Sequence, residues 1–255
     1  RGLGDVYKRQ GYEKLNARRT EWEWLLDRIF EQGKSLSALD RCIGQEIKEL
    51  GKPAFRHQIV LGLPEAIRGQ KDWGEIDGRE MDFSKEEDQI AATKWYIGEL
   101  VERFKAAKYK HLELSGFYWV AEDTHHCAEL TIPLSEYIHS EGKLFYWIPY
   151  WQAKGHEEWK RLGFDVAYQQ PNHFFNHSIP DSRLDEACAT ARRHGMAMEF
   201  EFDEKATAAI PNSSHDRMAA YINHFEKNDV FNSSAVAYYL SLIHISEPTR
   251  PLYIS

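Results

Sequence analysis

The sequence predicts an α/β fold, a parallel (β/α)8 barrel of the TIM type with six of its eight strands in view, and three observations carry that expectation. Short β-branched or aromatic runs alternate with longer stretches of helical period, the pattern of a parallel sheet with helices packed outside it. Gly142, Gly163 and Gly195 each follow a helical stretch and precede a strand, where a left-handed C-terminal cap costs glycine least. The alternative, an open doubly wound sheet, lacks its dinucleotide-binding signature, because no Gly-x-Gly-x-x-Gly follows any strand.

Taken in order, Trp22 to Gln32 and Leu36 to Leu50 read as helices, with Leu25, Leu26, Ile29 and Phe30 on one apolar face of the first. The strands are expected at Arg56 to Leu63, His111 to Trp119, Leu144 to Tyr150, Asp165 to Gln169, Met196 to Phe202 and Ala235 to Tyr239. Between the first two, Ser84 with Glu87 forms a capping box for a helix whose face carries Ile90, Ile97, Val101 and Phe104. A barrel does not begin with two helices, so the simplest numbering makes the visible strands three to eight, with two strands missing ahead of Gly11.

Both ends read as foreign. Residues 1–10 (Arg1 to Gln10) and 241–255 (Ser241 to Ser255) resemble translated sequencing-adapter sequence, so residues 11–240 are taken as one partial barrel domain. The alternative for Ser241 to Ser246 is an alternating strand closed by a turn at Glu247-Pro248. The chain has 32 basic and 40 acidic residues; without those ends the balance is 28 against 38, a net charge of −10. Nucleic-acid binding needs clustered Lys and Arg, so no nucleic-acid partner is expected, and Lys105 to Lys110 reads as a solvated helix end. Cys42, Cys127 and Cys188 are widely spaced with no Cys-x-x-Cys, hence neither a disulfide framework nor a thiolate metal site, and all three are expected in the core. No run of 18 apolar residues is present, so no membrane span is expected.

In a barrel of this type the chemistry sits just past the strand ends, and those segments are rich here. The second strand runs into Gly116-Phe-Tyr-Trp119 and Glu122-Asp123, the third into Tyr146-Trp-Ile-Pro-Tyr-Trp151, and the fourth into Tyr168-Gln-Gln-Pro-Asn172. The fifth reads Met198-Glu-Phe-Glu-Phe-Asp203. Period two there divides Met196, Met198, Phe200 and Phe202 from Ala197, Glu199, Glu201 and Asp203. One set is expected against helices; the other points three carboxylates into the interior, where crowding and lost water create separate acid and base roles.

Glycoside hydrolysis uses two carboxyl groups flanking the scissile bond, about 5 to 5.5 Å apart for retention and roughly 6.5 to 9.5 Å for inversion. Glu122 as acid/base and Glu201 as nucleophile supply such a pair, with Glu199 in reserve; strand numbers three to eight put them on strands four and seven. The competing reading makes Glu122 a loop carboxylate and Glu199 and Glu201 structural ion-pair partners. Sugar rings stack on aromatics and bond to planar amides, so Trp119, Trp147, Tyr150, Trp151, Gln169, Gln170 and Asn172 are candidate substrate contacts, about half of the rings being core instead. The long stretch from Pro64 to Phe83 adds Trp73 and Asp77, beside Glu65, Glu75 and Asp82. His125 and His126 beside Asp123 and Cys127 suggest a metal site only weakly, since neighbours on one segment rarely converge on one ion; no metal and no cofactor is expected. His173 and His177 read as loop residues.

At Trp73-Gly-Glu-Ile-Asp-Gly78, Gly116-Phe-Tyr-Trp119 with Glu122, Trp147-Ile-Pro-Tyr150, Gln170-Pro-Asn172, Glu199-Phe-Glu-Phe-Asp203 and Ser234-Ala-Val-Ala-Tyr-Tyr239, the chain resembles the domain-of-unknown-function family 4855 (DUF4855) of bacterial proteins. The likeness spans nearly all of residues 20 to 240. It implies a barrel of glycosidase type, usually in exported (periplasmic, surface or extracellular) proteins, and it assigns no catalytic residue. Three functions compete: a retaining glycoside hydrolase acting on a bacterial or host glycan, a noncatalytic carbohydrate-binding barrel, and a metal-dependent hydrolase built on His125 and His126.

Overall fold

The computed structural model describes residues 16–125, 127–207 and 212–241. The expected foreign tails lie outside these residues, apart from Ser241. The chain divides into two compact units, Arg1–Ala167 and Tyr168–Ser255.

The first unit carries helices α1 (Arg19–Ile29) and α2 (Ser35–Leu50), strand β1 (His57–Leu63), a small hairpin β2 (Glu75–Ile76) and β3 (Arg79–Glu80), helix α3 (Glu86–Ala107), strand β4 (Leu112–Trp119), helix α4 (Ala128–Ser140) and strand β5 (Leu144–Trp147). Strand β6 (Val166–Gln169) follows, and its first two residues pair with β5. The second unit continues with α5 (Ser182–His194), β7 (Ala197–Asp203), α6 (His215–Lys227), the single turn α7 (Val230–Ser233) and β8 (Val236–Ser241).

Six strands pair in the order β1-β4-β5-β6-β7-β8, and every pairing is parallel. The order never departs from the order of the sequence. A doubly wound sheet reverses at a switch point; an unreversed run of parallel strands with helical crossovers is the winding of a β/α barrel. All six expected strands are present within a few residues of their expected ends, β5 being shorter because Pro149 has no N–H to give a ladder.

Gly116 interrupts β4 for a reason that its neighbours make plain. Ile59 pairs with Leu114 but Val60 with Gly116, so Ser115 is the extra residue of a bulge. A Cβ on Gly116 would stand 2.2 Å from the carbonyl oxygen of Leu144 and 2.7 Å from the ring of Tyr146. Neither a strand carbonyl nor a packed ring moves cheaply. Gly116→Ala is therefore expected to cost about 2–3 kcal/mol through forced displacement of β5, measured as a lowered urea midpoint at unchanged m-value.

The start of α3 departs from expectation. Ser84 does not cap the helix: its hydroxyl and its N–H both donate to Asp82, at 2.6 and 3.0 Å. Asp88, buried in the first turn, reaches back instead to the Asp82 N–H (3.0 Å) and to Arg79. Burial pushes its carboxyl up, but those two donors outweigh burial and hold it below the ordinary aspartate range. The helix buries Gln89, Ala92, Thr93, Tyr96, Ile97 and Leu100, a face rotated from the expected one, and Ile90, Val101 and Phe104 are only half-buried. Polar Gln89 earns its buried place by donating to the Ala66 carbonyl at 2.7 Å, which ties the helix to the long segment after β1.

The same segment is anchored by rings. Trp73 meets Trp22 of α1 at 5.1 Å, Phe83 at 5.4 Å and Trp95 of α3 at 5.8 Å, while Trp22 also meets Tyr96 at 5.5 Å. The three edge-to-face pairs, Trp73 with Trp22 and Trp95 and Trp22 with Tyr96, add about 0.5–1.5 kcal/mol each beyond area burial. Asp77 and Gly78, with φ of 52° and 77°, form the two-residue turn of the β2/β3 hairpin, the left-handed pair an Asp-Gly turn supplies.

In the second unit Phe200 of β7 packs against Tyr221 and Phe225 of α6, with centroids 4.8 and 5.6 Å away, so the apolar set of β7 meets a helix as expected. Asp185 of α5 ties that helix to α6: its carboxylate receives Lys227 Nζ at 2.8 Å and Asn228 Nδ2 at 2.7 Å and pairs with His224 Nδ1 at 2.9 Å. Lys227 first, then His224 and Asn228, hold the Asp185 carboxyl far below its usual range. A depressed folded-state value adds stability that is complete above the unfolded-state value, about 3.9, and is lost as pH falls below it. The stability of Asp185→Asn should trail that of the wild type above about pH 4, by about 1 kcal/mol for a partly exposed cluster, and the gap, read from melting temperatures across pH, should close at lower pH.

Cys127 and Cys188 are buried as expected, whereas Cys42 is exposed on the outer side of α2. Burial pushes the Cys127 thiol up to about 12 and Cys188 to about 11, so neither supplies a thiolate nucleophile near neutral pH. Among the described residues no helix is long and apolar enough to cross a membrane.

Candidate active site

Three carboxylates of β7 lie buried along one strand. Glu199, Glu201 and Asp203 are 2, 3 and 4% exposed, on a strand buried on both faces as strands of parallel sheets are. Asp203 is occupied with local structure, its Oδ1 accepting from Lys205 N at 2.8 Å to cap the following 3-10 turn. Glu201 is held differently. Its Oε2 accepts from the Tyr221 hydroxyl and from the His173 main-chain N–H at 3.3 Å. Tyr221 lies 0% exposed with its ring on Phe200, and burial, then the charge of Glu201, drives its hydroxyl well above the usual tyrosine range. It stays a donor across the physiological range.

His173 belongs to the segment between β6 and α5. Its ring is completely buried, crosses Tyr221 edge-on at 5.4 Å, and places Nε2 2.8 Å from Asp181 Oδ1. Burial, reinforced by the charge of Arg217, lowers its pKa against the opposing pull of Asp181. Arg217, on α6 four residues before Tyr221, donates to Ile179 O (2.9 Å), Asn176 O (3.0 Å), His173 O and Asp181 Oδ1 (3.2 Å). Two residues one helical turn apart thus hold the loop and the carboxylate it touches.

The other expected residues of this unit serve the same turn. Gln169, 0% exposed, pairs in register with Met198, so it shares the parity of the apolar set rather than that of Glu199 and Glu201, and its Nε2 donates to Gln170 O at 3.1 Å. Gln170 Oε1 accepts from Asn172, which takes the left-handed conformation (φ 53°) that asparagine tolerates. In the neighbouring strand β8, Tyr239 stands in register with Glu201 and Ala237 with Glu199.

In the first unit the segments after β4 and β5 are laced together. Tyr150 N donates to Glu122 O at 3.1 Å, Trp147 Nε1 to Ala121 O at 2.8 Å, and Thr124 N and Oγ1 to Lys154 O at 3.1 and 2.8 Å. Glu122 is exposed. Tyr150, 37% exposed, has its hydroxyl raised by loss of water, then by Asp123, with which it hydrogen-bonds, and by Glu122. Trp151 is half-buried.

Several expected sugar platforms are core instead. Trp73, Trp119 and Trp147 are 1, 2 and 0% exposed. Phe117 pairs with Phe145 and Trp119 with Trp147, all four on the covered parity of their strands, and Trp147 stacks on Phe164 at 4.9 Å. The residues of opposite parity, Tyr118 and Tyr146, are half-buried, and the Tyr146 hydroxyl lies 3.3 Å from Ser115 Oγ. Alternation counted from Gly116 would have selected these tyrosines. Asp77 is exposed at the tip of the β2/β3 hairpin. His125 is exposed with its N–H on Asp123 Oδ1 at 2.8 Å, and His126 lies outside the described residues.

Sequence reading missed Tyr221, Arg217, His173 and Asp181 as site residues. One signal for the first two was available: Arg217 and Tyr221 lie in line with Ala220 and Phe225 on the buried face of α6, where an arginine has no reason to be unless something buried needs it.

No curated protein matches the chain. The chain is similar to a solved structure of a putative alpha-L-fucosidase from Bacteroides thetaiotaomicron VPI-5482, at 14% identity and a TM-score of 0.44, over 93% of this chain and 83% of that one. The model of the family described as "Domain of unknown function (DUF4855)" matches residues 7–251, and the chain therefore belongs to the DUF4855 family.

Proposed function

We propose that the protein is a glycoside hydrolase working through two carboxyl groups, with Glu201 as nucleophile, Glu122 as general acid/base and Glu199 in reserve. The observation that carries this reading is the way Glu201 is held. Two neutral donors, the Tyr221 hydroxyl and the His173 N–H, converge on Oε2 of a buried carboxylate. These donors fix the direction of the second oxygen and bring no cation of their own, and a carboxylate must keep its charge to face an oxocarbenium-like transition state. Glu122 has the complementary setting. It lies exposed in the segment after β4, and the acid/base of a retaining reaction has to be reached by both the leaving group and water. Tyr150, exposed beside Glu122, and the half-buried Trp151 that follows it are the proposed stacking surfaces, and Gln170 and Asn172 the proposed amide contacts.

A carbohydrate substrate follows from this reading, and export of the protein to the periplasm, cell surface or medium belongs to the same proposal, resting on the family resemblance alone. The test is hydrolysis of a panel of 4-nitrophenyl glycosides and of bacterial and host oligosaccharides, with the anomeric configuration of the first product followed by proton NMR. Retention supports the assignment of a nucleophile; inversion would recast Glu201 as the base that activates water. Glycan binding with no hydrolysis by wild type, unchanged in Glu122→Gln, would instead make the protein a noncatalytic carbohydrate binder.

A further inference from the structure

The loop between β6 and α5 is fastened with more polar contacts than a connection needs. Arg217, buried on α6, spans three main-chain carbonyls of that loop, at His173, Asn176 and Ile179, and the Asp181 carboxylate. Asp181 Oδ1 in turn faces His173 Nε2 at 2.8 Å. The Asp181 carboxylate can only accept, so His173 Nε2–H donates to it, and the ring is held by Asp181 and by the edge-on contact with Tyr221. What this arrangement delivers is one main-chain N–H, that of His173, aimed at Glu201 Oε2. At 3.3 Å that bond is near its useful limit, so a small loosening of the loop would lose it.

We propose that Arg217, Asp181 and His173 form a clasp whose task is to position Glu201, by fixing the loop so that the His173 N–H and the Tyr221 hydroxyl meet on one carboxylate oxygen. The proposal rests on Glu201 being the reacting carboxylate. Arg217, Asp181 and the His173 ring are positioning residues, since none of them bonds to a reacting atom. Arg217 and Tyr221 sit one turn apart on α6, so the helix sets the two donors in register, and displacement of a reacting group by about 1 Å can cost 10²-fold in rate.

The experiment uses the full chain and whichever 4-nitrophenyl glycoside the wild type cleaves fastest. Arg217→Ala should lower kcat by about 30- to 100-fold with KM within about twofold. Added guanidinium at low millimolar concentration should recover part of the loss, where ammonium at the same concentration should not, because only the planar fork reproduces the bonds to the loop. Asp181→Ala removes the oxygen that both His173 Nε2 and Arg217 meet; the side chain is 55% exposed, so the variant should stay folded, with kcat lowered by about tenfold at a melting temperature within a few degrees of wild type. Wild-type kcat in folded Asp181→Ala, or a loss in Arg217→Ala that follows the unfolded fraction and ignores guanidinium, would overturn the clasp. Glu201→Gln separates the two claims. If that variant keeps its activity, the assignment of Glu201 fails and the clasp with it; if it is inactive while Asp181→Ala is unimpaired, the clasp alone fails.

Discussion

Glu201→Gln is expected to lower kcat by about 10³-fold or more while the protein stays folded. The amide keeps the size of the carboxylate, and its carbonyl oxygen can still accept from the Tyr221 hydroxyl and the His173 N–H, so the packing around β7 has no cause to change. What is lost is charge. An amide neither attacks an anomeric carbon nor offsets a developing oxocarbenium ion. Glu201→Gly sharpens the point, because the space it leaves admits a small anion. With azide present, that variant should release a glycosyl azide of inverted configuration from an activated glycoside, a product that arises only if the missing side chain was the nucleophile. Unimpaired turnover by Glu201→Gln would move the assignment to Glu199, which lies two residues earlier and equally buried, and Glu199→Gln would then be the inactive variant.

How far the sequence could be read depended on whether a feature is local. Strands announce themselves by composition and helices by period, and a chain that alternates them in one direction has few folds open to it; the order β1-β4-β5-β6-β7-β8 follows. Gly116 was visible as a glycine inside a strand, though only the neighbouring Leu144 carbonyl explains it. The capping box at Ser84 failed because the local pattern has two solutions. Asp82 captured the hydroxyl that a helix start would have used, and Asp88, in the first turn, accepts from the Asp82 N–H and ties the helix start to the segment before it. The site divides the same way. The carboxylates of β7 could be named from period two, but their partners come from 20 residues on, at Tyr221, and 28 residues back, at His173. No short motif encodes a contact of that span. Which half of the aromatics after strands would be core could not be named for a related reason: a tryptophan serves a barrel core and a sugar equally well, and only parity along β4 and β5 separates Trp119 and Trp147 from Tyr118 and Tyr146.

Trp73 offers the cleanest way to tell those two uses apart. As a sugar platform it would raise KM on replacement and leave stability alone. Its surroundings predict the reverse. The ring is 1% exposed, wedged between Trp22, Phe83 and Trp95, and its carbonyl accepts from Arg19 N at 2.7 Å, so it joins the segment after β1 to both α1 and α3. Trp73→Ala should cost about 3–5 kcal/mol, the usual loss for a large aromatic deleted from a core. In a domain of this size that lowers the melting temperature by about 10 °C or more. Trp73→Phe should be far milder, about 1–2 kcal/mol. The Trp73 indole N–H is buried with no acceptor among the described residues, so the smaller ring sheds that donor along with the area it gives up. A platform would rank the two variants by KM; a core residue ranks them by melting temperature, with Trp22→Ala matching Trp73→Ala and the double variant losing less than their sum, because each ring is most of the other's packing.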